Sequence, residues 1–138
     1  MKRKLQRKSG PRKALLKNLA TSLILYEKLK TTTPRAKEVR PYLDKLISVA
    51  KKDDLSARRC LLKNLPKNAV VKLMDDIAPS FSERKSGFVK MIKIAARKGD
   101  NAPLCLLTFS EREQKIIKEK PKKEEKKEKV KHDQKSKK

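Results

Sequence analysis

Apolar residues recur at helical spacing through most of the chain between residues 15 and 77. The first helical stripe follows Ser9-Gly10-Pro11, where a serine can cap a helix and a proline is tolerated in its first turn. The members of this stripe are spaced three or four positions apart: Leu15, Leu16, Leu19, Ala20, Leu23 and Ile24. We therefore predict an amphipathic helix that begins near Ser9 and buries this stripe.

A second helix is predicted after a β-prone segment. The threonines of residues 28–33 predict a short strand. Thr33 can then cap a helix that has Pro34 in its first turn and a stripe made of Val39, Leu43, Leu46, Ile47 and Ala50. Pro41 lies inside the stripe and lacks the N–H that an interior helical residue donates. We predict a kinked but continuous helix because the stripe stays in phase, with a break at Arg40 as the alternative.

Two shorter helices are predicted next. Asp53 or Asp54 can cap a helix over about residues 55–64. Pro66 opens a fourth helix, and Pro79 is expected to close it. The apolar stripe of this fourth helix contains Val70, Leu73, Met74 and Ile77.

The remaining apolar segments have the character of strands. Residues 88–94 and 104–109 are short, rich in large or β-branched side chains, and bounded by Gly or Pro. We predict an antiparallel hairpin across a turn at residues 97–101. With the strand at 28–33, the predicted fold class is α+β, with about four helices and a small three-stranded sheet.

Charge divides the chain into three parts. The 138 residues contain 40 Lys and Arg against 16 Asp and Glu, a formal net charge of +24. Residues 1–10 are a basic arm that we expect to be disordered when alone, and residues 11–110 form a single domain. Residues 111–138 form a low-complexity Lys/Glu-rich tail, in which residues 111–119 can extend as helix and the part beyond Pro121 is predicted to be disordered.

The distribution of positive charge predicts a polyanionic partner. Cations near helix N-termini are disfavoured by the helix dipole, so a partner explains them better than helix stability does. Laid against phosphates, each cation can displace a condensed counterion, and binding gains free energy. The candidate contacts lie in the arm, at two helix starts and in the hairpin turn: Lys2, Arg3, Lys4, Arg7, Lys8, Arg12, Lys13, Lys17, Arg35, Lys37, Arg40, Arg97 and Lys98.

Catalytic and metal sites are not predicted. The single histidine, His132, lies in the tail, and the sequence contains no Cys-x-x-Cys pair or glycine-rich phosphate loop. Asp75 and Asp76 are helix neighbours whose side chains diverge, so we interpret them as a solvated face rather than a metal site. Cys60 and Cys105 lie in aliphatic runs, which favours buried, reduced thiols over a disulfide. We predict no cofactor, no small-molecule substrate and no membrane span.

The few aromatic residues limit the mode of binding. The chain has no Trp and only five Phe or Tyr, scattered along its length. Base stacking on an aromatic-rich sheet is therefore not expected to dominate. Recognition of the backbone and shape of a folded polyanion is the mode we predict.

Three segments resemble the bacterial large-subunit ribosomal protein seventeen family. They are Arg12-Lys13-Ala14-Leu15-Leu16-Lys17-Asn18-Leu19-Ala20-Thr21-Ser22-Leu23, Thr31-Thr32-Thr33-Pro34-Arg35-Ala36-Lys37-Glu38-Val39-Arg40-Pro41 and Arg97-Lys98-Gly99-Asp100-Asn101-Ala102-Pro103. The resemblance covers roughly residues 10–110, in order and with similar spacing. It implies an α+β structural protein of the cytoplasmic ribosome that binds large-subunit ribosomal RNA beside neighbouring ribosomal proteins. It also adds Asn18 to the expected RNA contacts.

Two other functions are alternatives to the ribosomal one. A free nucleic-acid-binding or RNA-chaperone protein would have the same composition. A nuclease using Asp75 and Asp76 would instead require divalent metal. The ordered motifs favour a structural, non-enzymatic ribosomal protein.

Overall fold

The computed structural model describes residues 3–110, so Met1, Lys2 and the predicted tail at 111–138 lie outside the described residues. The chain begins with helix α1 (Ser9–Tyr26), strand β1 (Lys28–Thr32) and helix α2 (Thr33–Ala50). Helix α3 (Leu55–Asn64) and helix α4 (Lys67–Lys72) follow. Strands β2 (Val89–Lys93) and β3 (Leu104–Phe109) complete the α+β fold predicted from the sequence.

The three strands form one antiparallel sheet in the order β1-β3-β2. The predicted hairpin is confirmed, and Val89 pairs with Phe109 while Lys93 pairs with Cys105. β1 lies on the other side of β3, where Lys28 pairs with Thr108 and Thr32 with Leu104. The end of β1 and the loop between β2 and β3 therefore lie at the same end of the sheet.

The helices and one face of the sheet enclose an aliphatic core. The predicted α2 stripe is buried in full, together with Ala36. Three phenylalanines extend the core beside the sheet, with ring centroids 5.3 Å apart for Phe81 and Phe88 and 6.1 Å apart for Phe81 and Phe109. Tilted aromatic contacts of this kind add to the stabilisation that burial provides.

α2 is continuous through Pro41, as the phase of its stripe predicts. The predicted end of the fourth helix is wrong. A π-helical turn at Leu73–Ile77 follows α4, and the helix continues through Pro79 to Ser80. The wider turn shifts the backbone bonding, so that Ala78 N–H donates to Leu73 O just before Pro79, which has no N–H to donate. The turn lets the helix pass a residue that would otherwise interrupt it.

The predicted capping side chains do not cap. Ser9 and Thr33 are the first helical residues rather than caps, because Lys8 and Thr32 occupy the N-cap positions. The Thr33 hydroxyl instead donates to Pro103 O at 3.1 Å. Asp54 is at the N-cap of α3 without a side-chain cap bond.

The two cysteines differ in burial. Cys105 is buried beside Thr31 O, at 3.4 Å, and desolvation raises the pKa of its thiol. Cys60 is exposed, which corrects the prediction that it is buried. The buried face of α3 is formed by Ala57 and Leu61, and Cys60 is displaced from Leu61 by about 100° around the helix.

Candidate nucleic-acid interface

Residues 3–8 of the basic arm follow a turned path beside the domain, and the disorder expected of the arm when it is alone stays a prediction. Leu5 and Gln6 have positive φ angles of 53° and 52°, and Arg7 N–H closes a turn on Lys4 O at 3.2 Å. The Arg3 backbone N–H donates to Glu38 Oε1 on α2 at 3.1 Å. The arm is thereby folded back along the chain toward the start of α2.

The arm and the start of α2 form a cleft of about 560 Å³, which we call the arm cleft. Its lining is Leu5, Gln6, Arg7, Thr32, Pro34 and Arg35. Two guanidinium side chains, one from each segment, therefore share a single concave surface. A guanidinium presents several donors in a planar fork that matches phosphate oxygens.

The first part of α2, which begins at Thr33, adds exposed positive charge beside this cleft. Arg35, Lys37 and Arg40 are all exposed, and the first turn of the helix contains no acidic residue. Arg35 lies in the first turn, at the positive end of the helix dipole, and Lys37 and Arg40 add positive charge farther along the helix, an arrangement that favours an anion.

The hairpin turn is tied to the start of α2. The N–H of Thr33 and its hydroxyl both donate to Pro103 O, at 2.9 Å and 3.1 Å. Within the turn, Arg97 Nε donates to Asp100 Oδ1 at 3.0 Å, and a second guanidinium nitrogen contacts Asp100 Oδ2. Lys98 is exposed. The bonds to Thr33 hold the base of the loop next to the arm cleft.

Arg97 also determines the ionisation of Asp100. Its side-chain hydrogen bond, helped by the backbone N–H of Ala102, lowers the pKa of Asp100 to about 2. Arg97 is therefore paired inside the turn. Any phosphate it contacts must share the guanidinium with Asp100.

A second concave surface, which we call the α1 groove, lies between the start of α1, the middle of α2 and the end of α3. Its volume is about 540 Å³. Three predicted contacts, Arg12, Lys13 and Lys17, belong to its lining. The remaining lining is Ala14, Leu16, Tyr42, Lys63 and Asn64. Asn18, expected from the family resemblance, is exposed on α1 but does not line this groove.

Sequence reasoning missed Tyr42, Lys63 and Asn64. Tyr42 belongs to the face of α2 beside its apolar stripe, and Lys63 is one of many exposed lysines along the chain. The sequence around Tyr42 does not distinguish a binding residue from a core residue, and the sequence around Lys63 does not distinguish a binding residue from an ordinary solvated lysine. Only the packing of α3 beside α1 and α2 places the three side chains in one groove with Arg12 and Lys17.

The surroundings of Asp75 and Asp76 do not support a metal site at this acidic pair. Asp75 and Asp76 are exposed on the π-helical turn. Within residues 3–110 no group of three or more His, Cys, Asp or Glu side chains is placed to hold a metal ion. His132 lies outside the described residues. None of the described helices combines the length and the apolar character that crossing a membrane would need.

Comparison with known proteins shows which family this chain is similar to. The model of the family described as Ribosomal protein L17 matches residues 15–110. A large ribosomal subunit protein bL17 from Bdellovibrio bacteriovorus is 50% identical over 104 residues, which cover 75% of this chain and 58% of that protein. Relatives of the same name give 46% over 112 residues in Dinoroseobacter shibae and 50% over 100 residues in Desulforamulus reducens.

The extent of these matches is uneven. The chain spans 58% of the Bdellovibrio relative, 81% of the Dinoroseobacter relative and 89% of the Desulforamulus relative. The family match begins at Leu15, so it includes α2 and the hairpin but leaves out the arm, Arg12 and Lys13. These basic residues therefore lie outside the family match, and only their placement in this chain bears on their role.

Proposed function

This chain belongs to the ribosomal protein L17 family, and on that premise we propose that it is a structural constituent of the large ribosomal subunit. In this role it binds folded large-subunit ribosomal RNA and works in the cytoplasm as part of the ribosome, beside neighbouring ribosomal proteins. It has no catalytic function of its own. The observation that carries the proposal is the convergence of three basic segments, distant in sequence, on one end of the domain.

The proposed contacts are made mainly to phosphates. The arm cleft brings Arg7 and Arg35 together, and Lys37 and Arg40 extend the same surface along α2. Counterions released from the RNA supply much of the binding free energy, and the fixed placement of the cations supplies the fit to a folded backbone. Lys2 lies outside the described residues and stays a predicted contact of the arm.

The net charge of +24 suits a free nucleic-acid-binding protein equally well. The two roles differ in where the protein resides in a cell. We expect the chain, tagged and expressed at its normal level, to comigrate with large subunits and whole ribosomes in a sucrose gradient, and to stay there after a wash in moderate salt. A broad pool at the top of the gradient that the wash enlarges would contradict the ribosomal role and support the free binder.

A further inference from the structure

The α1 groove differs from the arm cleft because an aromatic side chain lines it among the basic ones. Its lining combines three side chains with apolar surface, Ala14, Leu16 and Tyr42, with four cations, Arg12, Lys13, Lys17 and Lys63. A phosphate alone would gain no free energy from the apolar part of this lining, because burying apolar surface against a charged oxygen is not favourable. An amphipathic group with a flat apolar part and a negative part satisfies both regions.

The groove has the dimensions of a site for one small group. Its volume of about 540 Å³ falls within the usual range for small-molecule pockets, and it is far too small to admit a duplex. Arg12 and Lys17 line the groove and are half-buried, and long basic side chains of this kind usually bury their aliphatic stems while the charged ends stay in water. Asn64 Nδ2 donates to Cys60 O at 3.0 Å, which holds this side chain at the edge of the groove.

Tyr42 is the aromatic side chain in the lining of the α1 groove. It is half-buried and packs against the core cluster while also lining the groove. Desolvation raises the pKa of its hydroxyl, so the ring is neutral at physiological pH. The other tyrosine, Tyr26, is 75% exposed at the end of α1 and does not line the groove. The two tyrosines thus offer a matched comparison within one chain.

We propose that the α1 groove binds one unpaired nucleotide of RNA, with its base stacked on the ring of Tyr42 and its flanking phosphates on Arg12, Lys13, Lys17 and Lys63. Bases that are not paired in RNA stack on aromatic side chains, and cations around such a site can bind the flanking phosphates. The inference rests on the proposed role in RNA binding and makes it more specific. It assigns Lys63, at the end of α3, to the same interface as the start of α1.

The affinity of the full chain for protein-free large-subunit ribosomal RNA tests the proposal. Tyr42→Leu keeps most of the apolar volume but removes the ring, so we expect binding about five- to a hundredfold weaker, with the same salt dependence. Tyr42→Phe should bind within about twofold of wild type, because stacking does not need the hydroxyl. Tyr26→Leu is the control and should leave affinity unchanged. Equal affinity for Tyr42→Leu and wild type would overturn the proposal.

A crosslinking measurement on the unmodified chain removes the dependence on a folded variant. RNA that contains 4-thiouridine is bound, irradiated and digested, and the crosslinked peptides are identified by mass spectrometry. We expect crosslinks in the peptide that contains Tyr42, from a nucleotide that is unpaired in the RNA. Crosslinks confined to the arm and the hairpin turn would contradict the proposal while leaving RNA binding intact. If the chain binds no ribosomal RNA at all, the proposed function fails together with the inference.

Discussion

Asp100 shows how one side chain organises the turn between β2 and β3. Its carboxylate accepts from Arg97 on one side and from the N–H of Ala102, at 3.3 Å, on the other. The two positive φ angles that the turn needs are at Gly99, 102°, and Asn101, 50°, both residue types that adopt this region readily. The segment from Arg97 to Ala102 therefore includes the two residues that adopt positive φ angles and also the Arg97–Asp100 ion pair that holds the loop in place.

The titration of Asp100 reports whether this pair exists in solution. Its pKa of about 2 is below the ordinary value of 3.8, so the pair contributes fully above about pH 4 and is lost as the pH falls through 2. We expect carboxyl NMR shifts to give a midpoint near 2. Arg97→Gln should return the midpoint toward 3.8, and Lys98→Gln should leave it unchanged. A wild-type midpoint near 4 would mean that the pair does not form.

Lys72 shows how one helix holds the end of another. The last turn of α1 leaves carbonyl oxygens without helical partners, and Glu27 closes the helix in the left-handed conformation at φ 62°. Lys72 Nζ, on α4, donates to Leu25 O at 2.7 Å and contacts Glu27 Oε1 at 3.0 Å. A cation at a helix C-terminus is also favoured by the helix dipole.

Replacing Lys72 tests how much this contact stabilises the fold. Lys72→Met keeps the aliphatic stem but leaves Leu25 O and Glu27 without the ammonium, so we expect a loss of about 1–3 kcal/mol of unfolding free energy. A loss of that size lowers the Tm by roughly 4–8 °C per kcal/mol in a domain near 100 residues. Lys67→Met, an exposed lysine on the same helix, should change the Tm little. Equal effects of the two substitutions would show that the contact is not important.

The helices and strands themselves were predictable because periodicity records which face is buried. Every α2 stripe residue predicted from spacing is buried, and the hairpin pairs as its Gly and Pro boundaries indicate. The ends of the elements were less predictable, because long-range contacts decide them. Thr33 does not cap α2 since its hydroxyl bonds to Pro103, 70 positions away. Pro79 marks where the later helix is disturbed, but it does not indicate whether the helix ends there or widens into a π-helical turn.

The interface belongs to the whole molecule, and the sequence revealed its parts but not their grouping. Basic clusters could be identified from charge alone. Their convergence depends on the Arg3–Glu38 bond, 35 positions apart, and on the Thr33–Pro103 bonds. The place of Lys63 beside Arg12 depends on the packing of three helices, which no spacing rule reports. The summed charge of many cations predicts only that a polyanion is bound, whereas a few cations held in place indicate where it is bound.

Salt dependence separates the general field from the placed contacts. Arg12 lines the α1 groove and Arg35 lines the arm cleft. If both contact phosphates, the Arg12→Ala, Arg35→Ala double variant should bind large-subunit ribosomal RNA more weakly, with the slope of log K against log salt flatter by about two units. The measurement is a titration at several salt concentrations.

The matched control removes the same charge near the C-terminal end of α2, where Lys51 Nζ donates to Arg84 O beside Lys85. Lys52 and Lys85 are exposed, and Lys52 lies about 25 Å from Arg35 along the axis of α2. That distance exceeds the screening length of about 8 Å at physiological salt. The Lys52→Ala, Lys85→Ala variant should therefore keep the wild-type slope, although its net charge equals that of the other variant. Equal flattening in both would mean that total charge, rather than the interface described above, determines binding.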